Sequence, residues 1–272
     1  MNTSNETKTN TRKALVTGAS SGIGAIYADR LARRGFDLIL VARNAERLNK
    51  VAGQIASTTD RQVEILSADL SDSVDLRLVE NRLREDAAIE ILVNNAGFGG
   101  VTPLLQSNVD TMEEMIDINV TAVTRLTYAA VPGFVARGHG TVINISSIVA
   151  VSPELLNGVY GGTKAFVLAF TQSLQHELKD KGVRVQAVLP GATATEFWNV
   201  AGLPHENLPD GWVMKSEDMV DAALAGFDAN EVVTIPPLQD GADWERFESS
   251  RLAFGNKFHH SQPGSRYLAH AS

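Results

Sequence analysis

Short apolar runs alternate with amphipathic stretches along most of the chain. Lys13–Thr17 and Asp37–Ala42 have the composition of short buried strands, and between them apolar residues recur at helical spacing over 25–34. The alternation continues, and it predicts strands over 62–66, 89–93, 141–146, 184–189 and 231–235 and helices over 45–55, 76–84, 111–136 and 158–180. Such a series forms βαβ units. The pattern therefore predicts an α/β fold with a doubly wound, mostly parallel sheet of about seven strands and helices on both faces.

The remaining segments do not follow this alternation. Residues 1–12 are polar and predict a disordered leader, so the main domain is expected over 13–235. Within that domain, 196–228 reads as a lid over the C-terminal edge of the sheet, and 236–272 reads as an irregular C-terminal tail. The lid contains apolar and aromatic side chains, which either favour a hydrophobic substrate or only bury the lid itself; they are Phe197, Trp198, Leu203, Trp212 and Val213.

Composition narrows the functional classes. The formal net charge of −8, without any basic block, argues against nucleic-acid binding, and the absence of cysteine removes disulfides and thiol chemistry. No apolar run approaches the ~18 residues of a membrane span, and the N-terminus lacks the apolar stretch of a signal peptide, so a cytoplasmic soluble protein is expected. No histidine cluster indicates a metal site. A G-x-S-x-G elbow, which a serine hydrolase would need, does not occur.

A glycine-rich segment joins the first strand to the first helix. It reads T-G-A-S-S-G-I-G over residues 17–24. Glycines at such a junction permit a tight turn and let the backbone approach a pyrophosphate, which then lies at the helix N-terminus. The spacing is G-x-x-x-G-x-G rather than G-x-G-x-x-G, and an ordinary glycine-rich turn is the alternative.

Tyr160 and Lys164 are four residues apart in a predicted helix and therefore share one of its faces. A phenol titrates near pH 10, and a neighbouring ammonium is expected to lower its pKa, which would suit proton exchange with a carbonyl or alcohol oxygen. A surface tyrosine near a solvated lysine is the alternative. Gly161 and Gly162 between them each cost about 1 kcal/mol in a helix. Their presence indicates that a ligand or a neighbouring backbone comes close.

These segments occur in one order with several others. The chain contains T-G-A-S-S-G-I-G, A-D-L (68–70), N-N-A-G (94–97), I-N-V around Asn119, S-S (146–147), Y-G-G-T-K (160–164) and P-G-A-T-A-T (190–195). Together they resemble the short-chain dehydrogenase/reductase family over about residues 12–196. The resemblance implies a single-domain Rossmann fold and a nicotinamide-dependent oxidoreductase that acts on a carbonyl/alcohol pair. The double glycine is a slight departure, since relatives more often carry serine and alanine there.

The resemblance also implies a catalytic tetrad of Asn119, Ser147, Tyr160 and Lys164. Tyr160 would be the proton donor, and Lys164 would also bond the nicotinamide ribose. Ser147 lies 13 residues before Tyr160 and would polarise the carbonyl, although Ser146 is adjacent and a strand-end cap is the alternative. Asn119 would bend the long helix and hold a water in the proton relay, and a solvent-facing asparagine is the alternative.

The positions expected to bind the cofactor follow from the same resemblance. Asp69 fits a contact to the adenine amino group, or it caps the helix that follows. Asn44 adds a polar neighbour to Arg43, or it caps the second helix. The full set comprises Gly18, Ser20, Ser21, Gly22, Ile23, Gly24, Arg43, Asn44, Asp69, Leu70, Asn95, Ala96, Gly97, Tyr160, Lys164, Pro190, Gly191, Thr193 and Thr195.

The end of the second strand predicts which nicotinamide cofactor is used. An NAD-binding fingerprint places an acidic residue there, which accepts bonds from the ribose 2′-OH. Ala42 occupies that position and Arg43 follows. A guanidinium can bind a 2′-phosphate with two hydrogen bonds, so NADP(H) is expected, and a solvated strand-end arginine is the alternative.

Two alternative functions are compatible with the same fold. One is a non-catalytic dinucleotide-binding regulatory protein, and another is an epimerase or dehydratase without net cofactor turnover. A small carbonyl or alcohol molecule is the expected partner. The family usually pairs its two long helices, which are 111–136 and 158–180 in this sequence, so a homodimer or homotetramer is expected.

Overall fold

Parallel strands form the centre of the structure, a computed structural model that describes residues 12–209 and 211–268. Within these ranges the strands are Lys13–Thr17 (β1), Asp37–Ala42 (β2), Val63–Ser67 (β3), Ile89–Asn94 (β4), Gly140–Ile145 (β5), Val183–Val188 (β6) and Val233–Thr234 (β7). They make one seven-stranded sheet in the order β3-β2-β1-β4-β5-β6-β7, and each pairing is parallel. The order turns back at β1 and β4, as a doubly wound sheet requires. The predicted fold class is confirmed.

The α-helices alternate with these strands. They are Gly22–Arg33 (α1), Ala45–Thr58 (α2), Ser73–Glu85 (α3), Val109–Ile116 (α4), Val123–Arg137 (α5), Gly158–Leu178 (α6), Phe197–Ala201 (α7), Ser216–Asp228 (α8) and Gly241–Gly255 (α9). Local chemistry sets several of their starts. Asn44 and Asp72 cap α2 and α3, since each side chain accepts a hydrogen bond from a backbone N–H in the first turn.

Two apolar cores cover the two faces of the sheet. Ala14 and Val16 of β1 contribute to the first core, whereas Leu15 between them contributes to the second. This is the alternation that a strand buried on both faces produces. Side chains of α1, α2 and α8 complete the first core, and those of α3, α5 and α6 complete the second. Helices therefore lie on both faces, as the sequence predicted.

The predicted helix over 111–136 is longer and less regular than its pattern suggests. It runs through α4, a π-helical segment Asp117–Ala122, and α5. π-Helical turns inside α-helices occur often at functional sites. Asn119 lies in this segment with its side chain buried.

The predicted lid over 196–228 requires a correction. Its last part, Ser216–Asp228, is α8, whose Met219, Val220 and Leu224 belong to the first core. These residues recur at helical spacing and cover the sheet rather than its edge. Only residues 196–215 are therefore left as a segment that could cover the C-terminal edge.

Contacts divide the chain into two compact units, Met1–Pro236 and Pro237–Ser272. The second unit contains α9, which begins after Asp240, whose side chain accepts a hydrogen bond from the Ala242 N–H. No helix was predicted in this part, because its few apolar residues do not form a helical stripe. Residues 1–11 of the predicted leader lie outside the described residues.

Candidate active site

The predicted site residues gather at the C-terminal edge of the sheet. Each lies just beyond the strand that leads to it, or in the first turns of α6, or in the π-helical segment. The loop after β1 and the first turn of α1 carry Gly18, Ser20, Ser21, Gly22, Ile23 and Gly24. The other strands lead to Arg43 and Asn44 (β2), Asp69 and Leu70 (β3), Asn95, Ala96 and Gly97 (β4), Ser147 (β5), and Pro190, Gly191, Thr193 and Thr195 (β6). Helical segments supply Asn119, Tyr160 and Lys164.

The glycine loop has the shape of a phosphate cradle. Gly18 and Gly22 have φ values of 65° and 53°, in the left-handed region that favours glycine. A Cβ at Gly18 would lie 2.7 Å from the Asn95 amide nitrogen, and one at Gly22 would lie 3.2 Å from the Thr195 methyl group. A side chain at Gly18 would therefore collide with Asn95, and one at Gly22 would crowd Thr195, so the tight turn into α1 requires glycine at both positions. The residues fit a dinucleotide pyrophosphate.

Thr17 and Asn95 hold this loop against the end of β4. The Thr17 hydroxyl accepts hydrogen bonds from the Asn95 and Ala96 backbone N–H groups, both at 3.0 Å. The Asn95 side-chain amide donates to the Thr17 carbonyl at 2.9 Å and to the Gly18 carbonyl at 3.2 Å. Asn95 thus holds the glycine loop in place through the Thr17 and Gly18 carbonyls. The contribution of Thr17 was not identified from the sequence.

Asn157 sets the position of Tyr160. Its side-chain oxygen caps α6 by accepting from the Val159 and Tyr160 backbone N–H groups, at 2.9 and 3.4 Å. Its side-chain nitrogen donates to the Thr102 carbonyl at 2.7 Å. One asparagine therefore fixes both the start of α6 and the loop after β4. It escaped sequence analysis because its second partner lies 55 residues away.

The structure separates the two neighbouring serines. The Ser146 hydroxyl donates to the Lys164 carbonyl at 2.7 Å, so it joins β5 to α6. The Ser147 hydroxyl lies beside the Tyr160 phenol and lowers its pKa. Its oxygen also accepts from the Val149 N–H at 3.3 Å, which is the turn-capping contact considered as an alternative. Ser147 is thus the serine that lies next to Tyr160.

The pKa of Tyr160 is raised to about 12, because burial disfavours the phenolate more than the Ser147 hydroxyl favours it. The expectation that Lys164 would lower this pKa is therefore wrong for the protein alone. The Lys164 ammonium lies 5.8 Å from the centre of the Tyr160 ring and donates to the Ile145 carbonyl at 3.0 Å. The phenol is consequently protonated at neutral pH.

Lys164 is a buried cation. Burial lowers its pKa to about 8, since removing an ammonium from water disfavours its charged form. A Cβ at Gly97 would lie 3.6 Å from its Nζ, an ordinary contact distance, but only 2.6 Å from the Asn119 side-chain oxygen, which it would displace. The ammonium is therefore close to the loop that follows β4.

Asn119 joins three parts of the site. Its side-chain oxygen accepts from the Phe98 N–H at 3.2 Å, and its side-chain nitrogen donates to the Phe98 carbonyl at 2.9 Å. The same nitrogen donates to the Thr163 hydroxyl at 3.1 Å. Because the side chain is buried and bonded, the solvent-facing alternative is wrong. Thr163, one residue before Lys164, is a further positioning residue that the sequence analysis missed.

The two glycines of the Y-G-G-T-K segment differ. A Cβ at Gly161 would lie 3.0 Å from the Pro153 Cβ and 3.1 Å from its Cα, so this glycine admits a neighbouring backbone. Nothing lies within 4 Å of the corresponding position at Gly162. The predicted close approach is therefore met by a neighbouring backbone at Gly161, and it stays a prediction at Gly162.

The end of β2 is exposed and contains an arginine. The Arg43 guanidinium lies 3.7 Å from the carboxylates of Asp69 and Glu114. Asn44 caps α2 by accepting from the Arg47 N–H at 2.9 Å. Asp69 does not cap the next helix, because Asp72 does so; its carboxylate accepts from the Ser71 N–H and hydroxyl instead. Burial raises the pKa of Asp69, but these bonds and Arg43 outweigh it and leave the pKa below its usual value.

The segment after β6 closes the other side of the cradle. The Thr193 carbonyl accepts from the Trp198 indole N–H at 2.9 Å, and Thr193 pairs with Met214 as in a parallel strand. A groove of about 620 Å³ lies between this segment and α1. It is lined by Ser21, Gly22, Thr195, Glu196, Lys215 and Ser216 among others.

Leu70, which follows β3, is buried in the second core, so only its backbone remains available to a ligand.

Comparison with known proteins agrees with this arrangement. A family model for short chain dehydrogenases matches residues 12–203. The chain belongs to the short-chain dehydrogenase/reductase family. It is similar to a solved short-chain dehydrogenase from Sphingobium yanoikuyae in complex with NADPH, with 47% identity, a TM-score of 0.91, and coverage of 94% of this chain and 100% of the other. It is also similar to the bulky-bulky ketone specific alcohol dehydrogenase from Comamonas testosteroni, with 43% identity, a TM-score of 0.88, and coverage of 96% and 100%.

Curated relatives of this short-chain dehydrogenase/reductase cover less of the chain. A very-long-chain 3-oxoacyl-CoA reductase from Anas platyrhynchos is 36% identical over 195 residues, which are 69% of this chain and 62% of that protein. The inactive hydroxysteroid dehydrogenase-like protein 1 from Homo sapiens is 35% identical over 188 residues, which are 68% of this chain and 57% of that protein. The chain thus spans about three fifths of the length of these two relatives.

Two other kinds of feature, a metal-binding group of side chains and a membrane-spanning helix, are absent from the described residues. Over 12–209 and 211–268, no group of three or more His, Cys, Asp or Glu side chains could hold a metal ion. Within the same part of the chain, no helix has both the length and the apolarity needed to cross a membrane.

The burial of Lys164 predicts a stability that depends on pH. Between about pH 8 and pH 10 the unfolded chain, in which lysine titrates near 10.5, binds more protons at this residue than the folded chain. The free energy of unfolding therefore rises with pH in this window. Tyr160 opposes the rise only above pH 10, because its pKa is raised. Thermal melts from pH 7 to 10 should show the increase.

A matched pair of variants isolates this contribution. Lys164→Met keeps the length of the side chain but removes the buried charge, and it should raise the free energy of unfolding at pH 7 by up to about 3 kcal/mol while flattening the pH dependence. Lys50→Met, at an exposed position of α2, is the control and should change neither. An equally steep rise in Lys164→Met would contradict the assignment to Lys164.

Proposed function

We propose that the protein is an NADP(H)-dependent oxidoreductase that reduces a carbonyl to an alcohol, or catalyses the reverse reaction. The proposal rests on one observation above all, the convergence of Ser147, Tyr160 and Lys164 beside a glycine loop that fits a pyrophosphate. The Ser147 hydroxyl lies beside the phenol, and Lys164 follows one helical turn later. These groups can transfer a proton at one oxygen atom, which is what the interconversion of a ketone and an alcohol requires.

The roles of the residues follow from their protonation. A bound NADPH would supply the hydride to the carbonyl carbon. Because its pKa is raised to about 12, Tyr160 holds a proton at neutral pH and can donate it to the carbonyl oxygen. Ser147 donates a second hydrogen bond to that oxygen and polarises the carbonyl. Lys164 holds the ribose of the cofactor and restores the proton, and Asn119 fixes the loop after β4 beside them.

Arg43 supports NADP(H) over NAD(H). No carboxylate ends β2, and the exposed guanidinium stands at the place where the 2′-phosphate would arrive. The similar dehydrogenase from Sphingobium yanoikuyae binds NADPH, which agrees with this preference. The glycine loop, the residues after β3 and β4, and the segment 190–195 are proposed to contact the rest of the cofactor.

Apolar surroundings support a hydrophobic ketone as the substrate. Met115 and Val149 are buried beside Tyr160, and Phe98, Leu156 and Phe197 pack against them. The names of two relatives, a 3-oxoacyl-CoA reductase and a bulky-bulky ketone specific alcohol dehydrogenase, describe large carbonyl or alcohol molecules. The first relative is much longer than the matched region, so it supports the type of chemistry rather than an acyl-CoA substrate.

A non-catalytic dinucleotide-binding role is the second candidate. The relative named as inactive favours it, because similarity at 35% identity includes a protein without activity. The complete tetrad favours turnover in this chain. An epimerase or dehydratase would use the same fold but consume no cofactor.

An assay of NADPH oxidation tests these candidates together. The purified protein with NADPH and a panel of aryl alkyl ketones should lose absorbance at 340 nm, and a strong chelator should leave the rate unchanged, since no step needs a metal. Binding of NADPH without oxidation by any ketone would favour the non-catalytic role. Conversion of an alcohol without net oxidation or reduction of the cofactor would indicate an epimerase or dehydratase.

We also propose that two copies pair through α5 and α6 in a homodimer or homotetramer. Tyr128 of α5 is 69% exposed and stacks on Phe170 of α6, with ring centres 6.5 Å apart. Phe166 stacks on the same ring at 5.6 Å. An exposed aromatic surface across two long helices is suited to a symmetric contact.

A further inference from the structure

Phe197 has the closest aromatic contact with Tyr160 among the described residues. The two ring centres are 5.7 Å apart, and the ring planes are tilted by 45°. Phe197 begins α7, just after the loop that closes the glycine cradle. The Phe197 ring therefore lies beside the ring of Tyr160, whose hydroxyl is proposed to react with the carbonyl.

Gly99 makes this contact possible. A Cβ at this position would lie 2.5 Å from Cζ of Phe197 and 3.0 Å from Cε2 of Tyr160. Real Cβ atoms do not approach other atoms so closely, so any larger residue would displace one of the two rings. The loop after β4, the lid and the catalytic helix therefore meet at one point.

The Trp198 side chain attaches α7 to the segment after β6, whereas the Phe197 side chain makes only apolar contacts. The Trp198 ring is 8% exposed, and its N–H donates to the Thr193 carbonyl at 2.9 Å. The Phe197 ring contacts it edge-on, with centres 5.6 Å apart. Phe197 is only partly buried, and hydrophobic contacts alone hold its ring. Trp212, the other lid tryptophan, is 68% exposed.

We propose that Phe197, seated against Gly99, sets the size of the substituent that is accepted on one side of a ketone bound beside Tyr160. This inference rests on the proposed function and adds the residue that determines specificity. The Phe197 ring contacts the Tyr160 ring, and it can be truncated without removing a residue of the buried core. A change of one methylene in an apolar pocket alters discrimination by about 10-fold or more, so removal of a benzyl ring should have a large effect.

Two ketones that differ only in alkyl length provide the test. Phe197→Ala should raise the ratio of kcat/KM for valerophenone to that for acetophenone by about 10-fold, with KM for NADPH unchanged. Gly99→Ala should lower the same ratio, because its methyl group displaces the ring into the pocket. Trp212→Ala is the control for loss of an aromatic side chain in the lid and should leave the ratio unchanged.

Binding provides a second measurement that does not depend on turnover. Trp198 touches Phe197, so its fluorescence should report entry of either ketone into the complex with NADP⁺. If the wild type binds ketones without reducing them, the proposed function is wrong. The inference about Phe197 is then tested by the ratio of the dissociation constants for valerophenone and acetophenone. An unchanged ratio in Phe197→Ala, by rate or by binding, would overturn it. Failure of both ketones to bind to either protein would overturn it as well.

Discussion

Tyr160→Phe should lower kcat by about 10³-fold, because it removes the proton donor and leaves the ring in place. The phenol is buried, and its raised pKa keeps it protonated at neutral pH. The substituted ring keeps its contact with Phe197, so the fold and the cofactor site should be preserved. Steady-state rates at saturating NADPH and ketone measure the loss. NADPH fluorescence should give the same dissociation constant for both proteins.

A matched control separates this effect from general loss of a hydroxyl group. Tyr267→Phe makes the same chemical change at a tyrosine that is 68% exposed in the second unit, and it should keep full activity. A kcat within 10-fold of the wild type in Tyr160→Phe would contradict the role of Tyr160. An equal fall in both variants would contradict it too.

Local pattern was sufficient for most of the fold, because the central strands are short and apolar and each of the helices α1, α2, α3 and α5 that alternate with them has one apolar face. Leu38 and Leu40 enter one core and Ile39 and Val41 the other, so β2 had to be a strand that is covered on both sides. The same pattern could not separate α8 from the lid. Its apolar residues lie at helical spacing, but only their contact with α1 shows that they cover the sheet.

Sequence identified the reacting groups better than the groups that hold them. Tyr160 and Lys164 stand in one short segment, whereas Asn157 acts through Thr102 and Thr163 acts through Asn119. Contacts over tens of residues leave no trace in local spacing. The pKa of Tyr160 was predicted in the wrong direction for a related reason, since it depends on burial by distant residues as well as on a nearby charge.

The proposed preference for NADP(H) depends on the exposed guanidinium of Arg43, whose ion pairs can be exchanged for a phosphate. Arg43 lies 3.7 Å from the carboxylates of Asp69 and Glu114, and its side chain is 64% exposed. Ion pairs at such exposed positions contribute about 0–1 kcal/mol, so a phosphate can displace them. Arg47, four residues later, also forms an exposed ion pair, in which it donates to Glu196 at 2.6 Å.

Arg43→Ala should therefore lower kcat/KM for NADPH by about 10²-fold, since hydrogen bonds to a charged group contribute about 1.5–3 kcal/mol each. Asp69 and Glu114 would then face the phosphate without compensation, which adds to the loss. The 2′-OH of NADH does not need the guanidinium, so kcat/KM for NADH should change by less than about 3-fold. Initial rates with both cofactors at one ketone concentration measure the ratio. Arg77→Ala, at an exposed position of α3, is the control and should leave it unchanged. A wild type that prefers NADH, or an equal fall with both cofactors in Arg43→Ala, would contradict the assignment of the 2′-phosphate to Arg43.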